Sequence, residues 1–260
     1  MTRTTRHFGI FLLALTATSC LNTEPVPGPL SPTPQLTQVE TRWGDVVVTV
    51  QYYYRADGQP DSLLWSRKNM FESEGKEIFV YDANSRLVKK IVSQTGLVDQ
   101  EIVYTWADGK IAVARSYYNG KKDAYQFYDY NALGQLAKIE FTKISPESGG
   151  FFVSGENHYT YHADGNLHQV KEYVASLDEP QLTWTNTKTY TAYTSGLNPL
   201  PSMEVLPNVV LQKNLPASYV IQYPENTLTY TFTYSMQANG YPSTRTVTGM
   251  EGEQNTYSYK

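Results

Sequence analysis

Residues 230–241 read YTFTYSMQANGY, and this stretch decides the fold prediction. From Tyr230 to Met236, aromatic residues and methionine alternate with threonine and serine. A period of two is typical of a β-strand that buries one face. The Asn239-Gly240 pair that follows favours a tight turn, because both residues tolerate a positive φ. The stretch therefore predicts a strand that leads into a type I′ hairpin turn.

The same phrase, an aromatic strand end followed by a polar turn, recurs along the chain. Clear copies occupy residues 54–59, 81–87, 106–111, 130–136, 161–167 and 236–241, and a degenerate copy lies at 194–197. The early copies are roughly 25 residues apart, which indicates a repeat architecture. Because one hairpin cannot bury its apolar face alone, its neighbours must cover it. We predict an all-β fold: a twisted or curled antiparallel sheet of repeated β-hairpins, with one irregular crossover segment.

The irregular segment runs from Asn198 to Ser218. It contains four prolines and little alternation, which predicts a loop with room for one short helix. A structural return connection is the simpler interpretation, and a functional loop is the alternative.

Residues 1–19 have the pattern of a secretory signal peptide. Arg3 and Arg6 precede an apolar run, residues 8–17, that is too short to span a bilayer. The stretch Ala17-Thr18-Ser19-Cys20 then resembles the lipobox of bacterial lipoproteins, in which diacylglycerol is attached to the cysteine and cleavage leaves that cysteine first. Cys20 is the only cysteine of the chain. The resemblance implies lipidation of Cys20; an ordinary signal-peptidase site, which would release a soluble protein with a free thiol, is the alternative.

The next residues predict a tether. Residues 20–40 include five prolines, which favour polyproline II and form no core. The β domain is then predicted over residues 41–260. Leu21 follows the cysteine, whereas proteobacterial lipoproteins retained in the inner membrane have Asp there. The resemblance therefore implies the outer membrane and leaves the periplasmic or surface face open.

Two further resemblances concern the repeats. The copies at 81–87 and 128–136 resemble the YD repeat of Rhs-type proteins. The combination of lipobox, proline-rich linker and tyrosine-rich hairpins is similar to lipoproteins of unknown function from Bacteroidota. YD repeats build spiralling sheets that act as shells or spacers, so the resemblance implies a role without catalysis.

The sequence gives little support for chemistry or for nucleic-acid binding. It contains no nucleophile elbow, P-loop, dinucleotide fingerprint or zinc-protease helix. A glycoside hydrolase with a carboxylate pair brought together by the fold is the alternative to a non-enzyme. Loss of the leader would take the formal net charge from −4 to −6, and an acidic chain lacks the basic surface that nucleic acid needs.

Three histidines, His158, His162 and His168, are the candidate metal ligands. If Asp164-Gly165 forms a two-residue turn, Tyr161 pairs with His168. That register places His168 on the opposite face from His158 and His162. A bulge in the strand is the alternative that could bring the three histidines together. We predict no metal site, and no cofactor is expected.

The chain has 22 tyrosines and 4 tryptophans, and their rings suggest a second function. Aromatic faces can stack on sugars, and the candidates are Tyr53, Trp106, Tyr118 and Trp184; packing within the sheet is the alternative. The sequence thus predicts a lipid-anchored envelope protein with a non-catalytic binding or scaffolding domain. Its partner would be a glycan or another envelope protein.

Overall fold

The computed structural model describes residues 34–145, 148–176, 178–200, 209–249 and 252–260. The predicted signal peptide, Cys20 and most of the tether lie outside the described residues.

Sixteen β-strands follow one another around a closed antiparallel barrel, and the last strand pairs with the first. No helix is found among the described residues. The strands are β1 Leu36–Trp43, β2 Val46–Tyr54, β3 Pro60–Lys68, β4 Ser73–Tyr81, β5 Leu87–Gln94, β6 Gln100–Ala107, β7 Lys110–Tyr118, β8 Lys121–Tyr130, β9 Leu136–Ile144, β10 Phe151–Tyr161, β11 Leu167–Val174, β12 Thr183–Leu197, β13 Asn214–Gln222, β14 Thr227–Met236, β15 Pro242–Thr248 and β16 Gln254–Tyr259.

The all-β class and the antiparallel pairing of neighbouring strands are confirmed, but the predicted twisted or curled sheet of repeated hairpins is wrong, because the sheet closes into a barrel. The sheet closes because β1 pairs with β2 on one side and with β16 on the other, so that Val39 lies opposite both Val50 and Tyr257. Closure removes the two edges that an open sheet would expose. The sheet also begins earlier than residue 41, since Leu36–Trp43 is already a strand.

The segment from Asn198 to Ser218 does not cross over the sheet. It joins the neighbouring strands β12 and β13, and its last residues, from Asn214, belong to β13. Its described part after residue 208 packs on the β10–β11 turn: the amide of Leu167 donates to the carbonyl of Leu211 at 2.9 Å, and that of Lys213 to Asn166 Oδ1 at 2.8 Å.

The two faces of the barrel wall differ in burial. Tyr104 and Tyr128 are 7% and 5% exposed, whereas Thr105 and Asp129, their neighbours on the opposite face, are exposed. Side chains converge on the concave side of a closed wall and diverge on the convex side, so the buried face is the interior. The main core cluster runs along this inner face from Phe79 on β4 to Tyr190 on β12.

The turns differ from the type I′ prediction in all but one of the clear copies. Asp108-Gly109 is a two-residue turn with φ of 49° and 75°, as predicted. In the first copy, however, only Gly58 has a positive φ, and the amide of Arg55 donates to the carbonyl of Gln59. This is a type I turn followed by a left-handed residue, and the strand after the turn has a bulge, since Tyr53 pairs with Ser62 and Tyr54 with Pro60. The turns at 82–86, 131–135, 162–166 and 237–241 have the same hydrogen bonds.

Candidate functional site

Eight aromatic side chains form a ring of hydrogen bonds at one end of the barrel. Each even-numbered strand contributes a tyrosine or tryptophan whose O–H or N–H donates to a backbone carbonyl near the start of the preceding odd-numbered strand. We call them the terminal aromatics and their end of the barrel the tyrosine end. They are Tyr54, Tyr81, Trp106, Tyr130, Tyr161, Tyr193, Tyr234 and Tyr259, and they donate to Leu36, Pro60, Leu87, Ile111, Leu136, Leu167, Pro216 and Pro242 over 2.6–2.9 Å.

The tyrosine end is also where the interior is packed most tightly. Leu87, Leu136 and Leu167 are the first residues of β5, β9 and β11, and Ile111 is the second residue of β7; all four are at most 2% exposed. Cations from the turns lie over terminal aromatics: the guanidinium carbon of Arg55 is 4.9 Å from the ring centre of Tyr81, and Lys110 Nζ is 4.8 Å from that of Tyr130. The aromatic residue of each repeat phrase therefore links its hairpin to the hairpin before it through a hydrogen bond.

A cleft of about 520 Å³ opens between the turns at this end. Trp106, Tyr130 and Lys110 line one side, and Val209 and Lys213 from the β12–β13 connection line the other. Lys213 Nζ donates to the carbonyl of Asp164 at 3.1 Å, so this ammonium group already has a partner.

Charged groups inside the barrel are paired. Lys90 Nζ lies 3.0 Å from Glu77. Arg245 donates to Asn255 at 2.8 Å and to Glu253 at 3.0 Å. Because an unpaired charge in an apolar interior is costly, these pairs make the inner face compatible with packing.

The outer face of the wall is polar and charged at the middle of its strands. Lys138 on β9 is the centre of one cluster, with Glu140, Asp129 and Glu156 between 3.3 and 3.6 Å away. Partial desolvation lowers the pKa of Lys138, but the hydrogen bond that its ammonium group donates to Glu140 and the charge of the surrounding carboxylates outweigh it and raise this pKa above its usual range. His158 Nε2 lies 2.6 Å from Glu156 in the same cluster.

The opposite end of the barrel, which we call the loop end, carries most of the exposed apolar side chains. Phe71 in the β3–β4 loop is 84% exposed, and inner-face residues such as Val174 and Leu228 are exposed there as well. The interior is therefore open toward the loop end. We define the rim as the exposed apolar side chains in or beside six consecutive loops at this end: Met70, Phe71, Leu97, Val98, Tyr118, Phe151, Val174, Leu182, Tyr223 and Leu228.

The structure does not bring the predicted sugar-stacking rings together. Trp106 packs against the core at the tyrosine end and donates its Nε1–H to Leu87. Trp184 is half-buried on β12 and donates to Thr187. Tyr118 is 46% exposed at the loop end, and Tyr53 is 44% exposed on the outer face of β2. The four rings therefore form no common platform.

The predicted pairing of Tyr161 with His168 is wrong. Tyr161 pairs with Leu167, because the turn spans five residues and His168 occupies the bulge. The ring centres of His162 and His168 come within 4.6 Å of each other, and His162 Nε2 is 3.0 Å from the carbonyl oxygen of Tyr190. Within the described ranges, no group of three His, Cys, Asp or Glu residues could hold a metal ion.

Two features of the site were missed from the sequence. The repeat phrase includes the aromatic residue before each turn, but the sequence does not predict the hydrogen bond from this residue to a neighbouring strand. The rim was also missed, because its residues lie in loops that have no common motif. The signal that could have found it is the recurrence of a large apolar residue in or beside six of the eight connections that alternate with the repeat turns.

Comparisons with known proteins were made on sequence and on structure. No protein-family model and no curated protein sequence matches the chain. Over the described residues, no helix has the length and apolarity to cross a membrane. The fold is similar to a porin-like protein from Bacteroides uniformis ATCC 8492, with a TM-score of 0.59 and 16% identity over 88% of this chain and 99% of that one. A porin-like protein from Bacteroides vulgatus ATCC 8482 gives a TM-score of 0.42 and 13% identity over the same shares. At these identities, the likeness to the first of them shows the fold alone: a closed, antiparallel, 16-stranded barrel.

Proposed function

We propose that this chain is a non-catalytic protein of the cell envelope, held to the outer membrane by lipid on Cys20. Its barrel lies in water and binds a partner. The observation that carries the proposal is the distribution of side chains: the aromatic core faces inward, and the charged clusters face outward.

A bilayer-spanning barrel has the opposite arrangement. Its outer face is apolar, its lumen is polar, and a lysine or arginine at the midplane of the outer face costs roughly 2–4 kcal/mol. Here the middle of the outer face includes Arg115 on β7, which donates to Thr105, and Glu140 on β9, which pairs with Lys138. The structural neighbours are named porin-like, but a pore through a bilayer would require an apolar outer face and a polar lumen, which is the reverse of the side-chain distribution in this wall. We therefore propose a tethered barrel and not a channel.

The test is membrane attachment of a Cys20→Ser variant of the full chain. We expect the variant to leave the membrane fraction and to remain folded in detergent-free buffer, with the β-sheet circular dichroism of the wild type. Cys20→Ser protein that stays with the membrane and is released only by detergent would overturn the tethered barrel. The control is Ser31→Ala, which changes the predicted tether and leaves the cysteine in place.

Glycan binding is the second candidate function, and one observation favours it. A groove of about 720 Å³ crosses the outer face of β2 to β5. Gln51 lines this groove and accepts a 3.3 Å hydrogen bond from the hydroxyl of the exposed Tyr53. An exposed ring beside amide and hydroxyl groups suits a sugar. A glycan array probed with the wild type and with Tyr53→Ala tests this function, and we expect a weaker signal from the variant. Equal glycan signals from the two proteins would show that Tyr53 is not part of a binding site. No signal from the wild type would refute glycan binding.

A further inference from the structure

We propose that Asn119, in the turn between β7 and β8, is a site of spontaneous covalent modification, at which the side-chain amide is lost through a succinimide and a carboxyl group takes its place. The modification goes beyond the proposed function and does not depend on it. The chain has two Asn-Gly pairs, Asn119-Gly120 and Asn239-Gly240. The structure leaves the reacting groups of the first pair free and holds those of the second, and this difference carries the inference.

The reaction needs only the two residues and water. The backbone nitrogen of Gly120 gives its proton to the solvent and attacks Cγ of Asn119, and the side-chain nitrogen takes up a proton and leaves as ammonia. Water then opens the succinimide ring at either of its carbonyl groups, which gives aspartate or isoaspartate. The net reaction consumes one water and releases one ammonia, and no group is oxidised or reduced.

The β7–β8 turn leaves the attacking nitrogen without a hydrogen bond. Tyr118 and Lys121 face each other as the last pair of the hairpin. Asn119 and Gly120 between them have φ of 50° and 69°, as in a type I′ turn. Both are exposed, and within the described part of the chain neither the Gly120 amide nor the Asn119 side chain has a hydrogen-bond partner. The nitrogen and the carbon that it attacks can therefore approach each other without breaking a hydrogen bond.

The surroundings of the turn also favour the attack. Gly120 has no Cβ to shield its nitrogen, and no atom lies within 4 Å of the position that a Cβ would take. Lys121 and Lys122 follow directly and are exposed. A nearby positive charge stabilises the deprotonated backbone nitrogen that makes the attack.

The second Asn-Gly pair is held by hydrogen bonds in its turn. The Gly240 amide donates to the carbonyl of Gln237 at 3.1 Å. Asn239 Oδ1 accepts from the Tyr241 amide at 3.1 Å, and Asn239 Nδ2 donates to Gln237 Oε1 at 3.4 Å. No atom lies within 4 Å of a Cβ added at Gly240 either, so the two pairs differ in hydrogen bonding and not in steric access. Because these bonds must break before the ring closes, we expect Asn239 to react about tenfold more slowly than Asn119.

Modification of Asn119 changes the loop end in two ways. Either product adds one negative charge beside the exposed ring of Tyr118. Isoaspartate also adds a methylene group to the backbone, which lengthens a turn whose geometry requires two residues.

The experiment ages the full chain, purified in detergent, in mildly alkaline buffer made with heavy-oxygen water. The tryptic peptides 116–121 and 214–245 contain one Asn-Gly pair each, and mass spectrometry follows the oxygen that each takes up as its amide is lost. We expect peptide 116–121 to be modified about tenfold faster, with isoaspartate among its products. Protein unfolded in urea is the control, and in it the two pairs should react at similar rates.

Two matched variants connect the modification to the charge of the whole protein. Asn119→Gly removes the reacting amide and keeps a Gly-Gly pair that suits a type I′ turn, and Asn239→Gly is its control. Ageing should produce acidic species in isoelectric focusing of the wild type and of Asn239→Gly, but not of Asn119→Gly. Equal rates for the two peptides in the folded protein would overturn the inference. So would modification of Asn119 only after unfolding, or acidic species that persist in Asn119→Gly.

Discussion

Tyr130 shows at the residue scale how the barrel is held together. Its ring lies under Lys110, and its hydroxyl donates to the carbonyl of Ile111 at 2.9 Å. Tyr130→Phe keeps the ring and removes the donor, leaving a carbonyl without its partner in a partly buried site. We expect the free energy of unfolding to fall by about 1–2 kcal/mol. Urea unfolding followed by circular dichroism measures it.

The matched control is Tyr118→Phe. The ring of Tyr118 is 46% exposed at the loop end, so its substitution should change stability by about 0.5 kcal/mol or less. Equal losses for the two variants would show that the ring of hydrogen bonds at the tyrosine end has no special part in stability.

The terminal tyrosines also make the barrel sensitive to alkali. Burial raises the pKa of Tyr54, Tyr81 and Tyr130 from 10.0 to about 12. Because the raised pKa belongs to the folded state, this stabilisation is complete below pH 10 and is lost as the pH rises from 10 through 12. We expect cooperative unfolding in that window, with tyrosinate absorbance rising as the β-sheet signal disappears. Titration of all tyrosines near pH 10 in a barrel that keeps its circular dichroism would contradict this.

At the scale of the element, the β4–β5 turn differs in one residue from the other turns of the same type. The left-handed position is glycine in four turns of this type, Gly58, Gly134, Gly165 and Gly240, but it is Ser85, with φ of 58°, in the β4–β5 turn. Ser85→Gly should stabilise the barrel by about 0.5 kcal/mol, because relief of the left-handed conformation slightly exceeds the entropy cost of glycine. The midpoint of thermal unfolding tests this.

The reverse substitution at Gly240 is the control. No atom lies within 4 Å of a Cβ added there, so Gly240→Ser probes the backbone conformation alone and should lower the midpoint. A stabilising Gly240→Ser or a destabilising Ser85→Gly would show that the turn type does not limit stability.

The elements are also where sequence and structure agree best. Alternation from Tyr230 to Met236 predicted strand β14 because it depends only on neighbouring residues. Closure of the sheet could not be predicted in this way, since it depends on pairing between Val39 and Tyr257 at opposite ends of the chain. The turns were misassigned because neighbouring residues do not report how many residues the loop contains. Arg55 and Gln59 enclose three residues, whereas a type I′ turn needs the two that Ala107 and Lys110 enclose.

The candidate site also could not be predicted from neighbouring residues alone. The sequence identified Trp106 and Tyr53 as large aromatic residues, but only the fold shows that the first faces the core and the second faces water. The rim could not be predicted because it consists of residues from six loops that the closed barrel gathers at one end.

On the scale of the whole molecule, the two ends of the barrel differ in structure. The tyrosine end has five turns of one type, paired charges such as Arg86 with Asp82, and the start of β1. The loop end has connections of unequal length and exposed apolar residues. We propose that the tethered barrel presents its loop end to other molecules, which is the usual arrangement when a rigid scaffold carries a binding surface.

The central claim is that the outer face of the wall contacts water and not lipid. Its most direct test is electron paramagnetic resonance of spin labels at Gln51, Thr105 and Thr231, each replaced singly by cysteine in membrane-bound protein. These residues are exposed on the outer face of β2, β6 and β14. The account predicts that every label collides more with a water-soluble nickel complex than with oxygen. Labels that collide preferentially with oxygen, as they do in a bilayer, would contradict it.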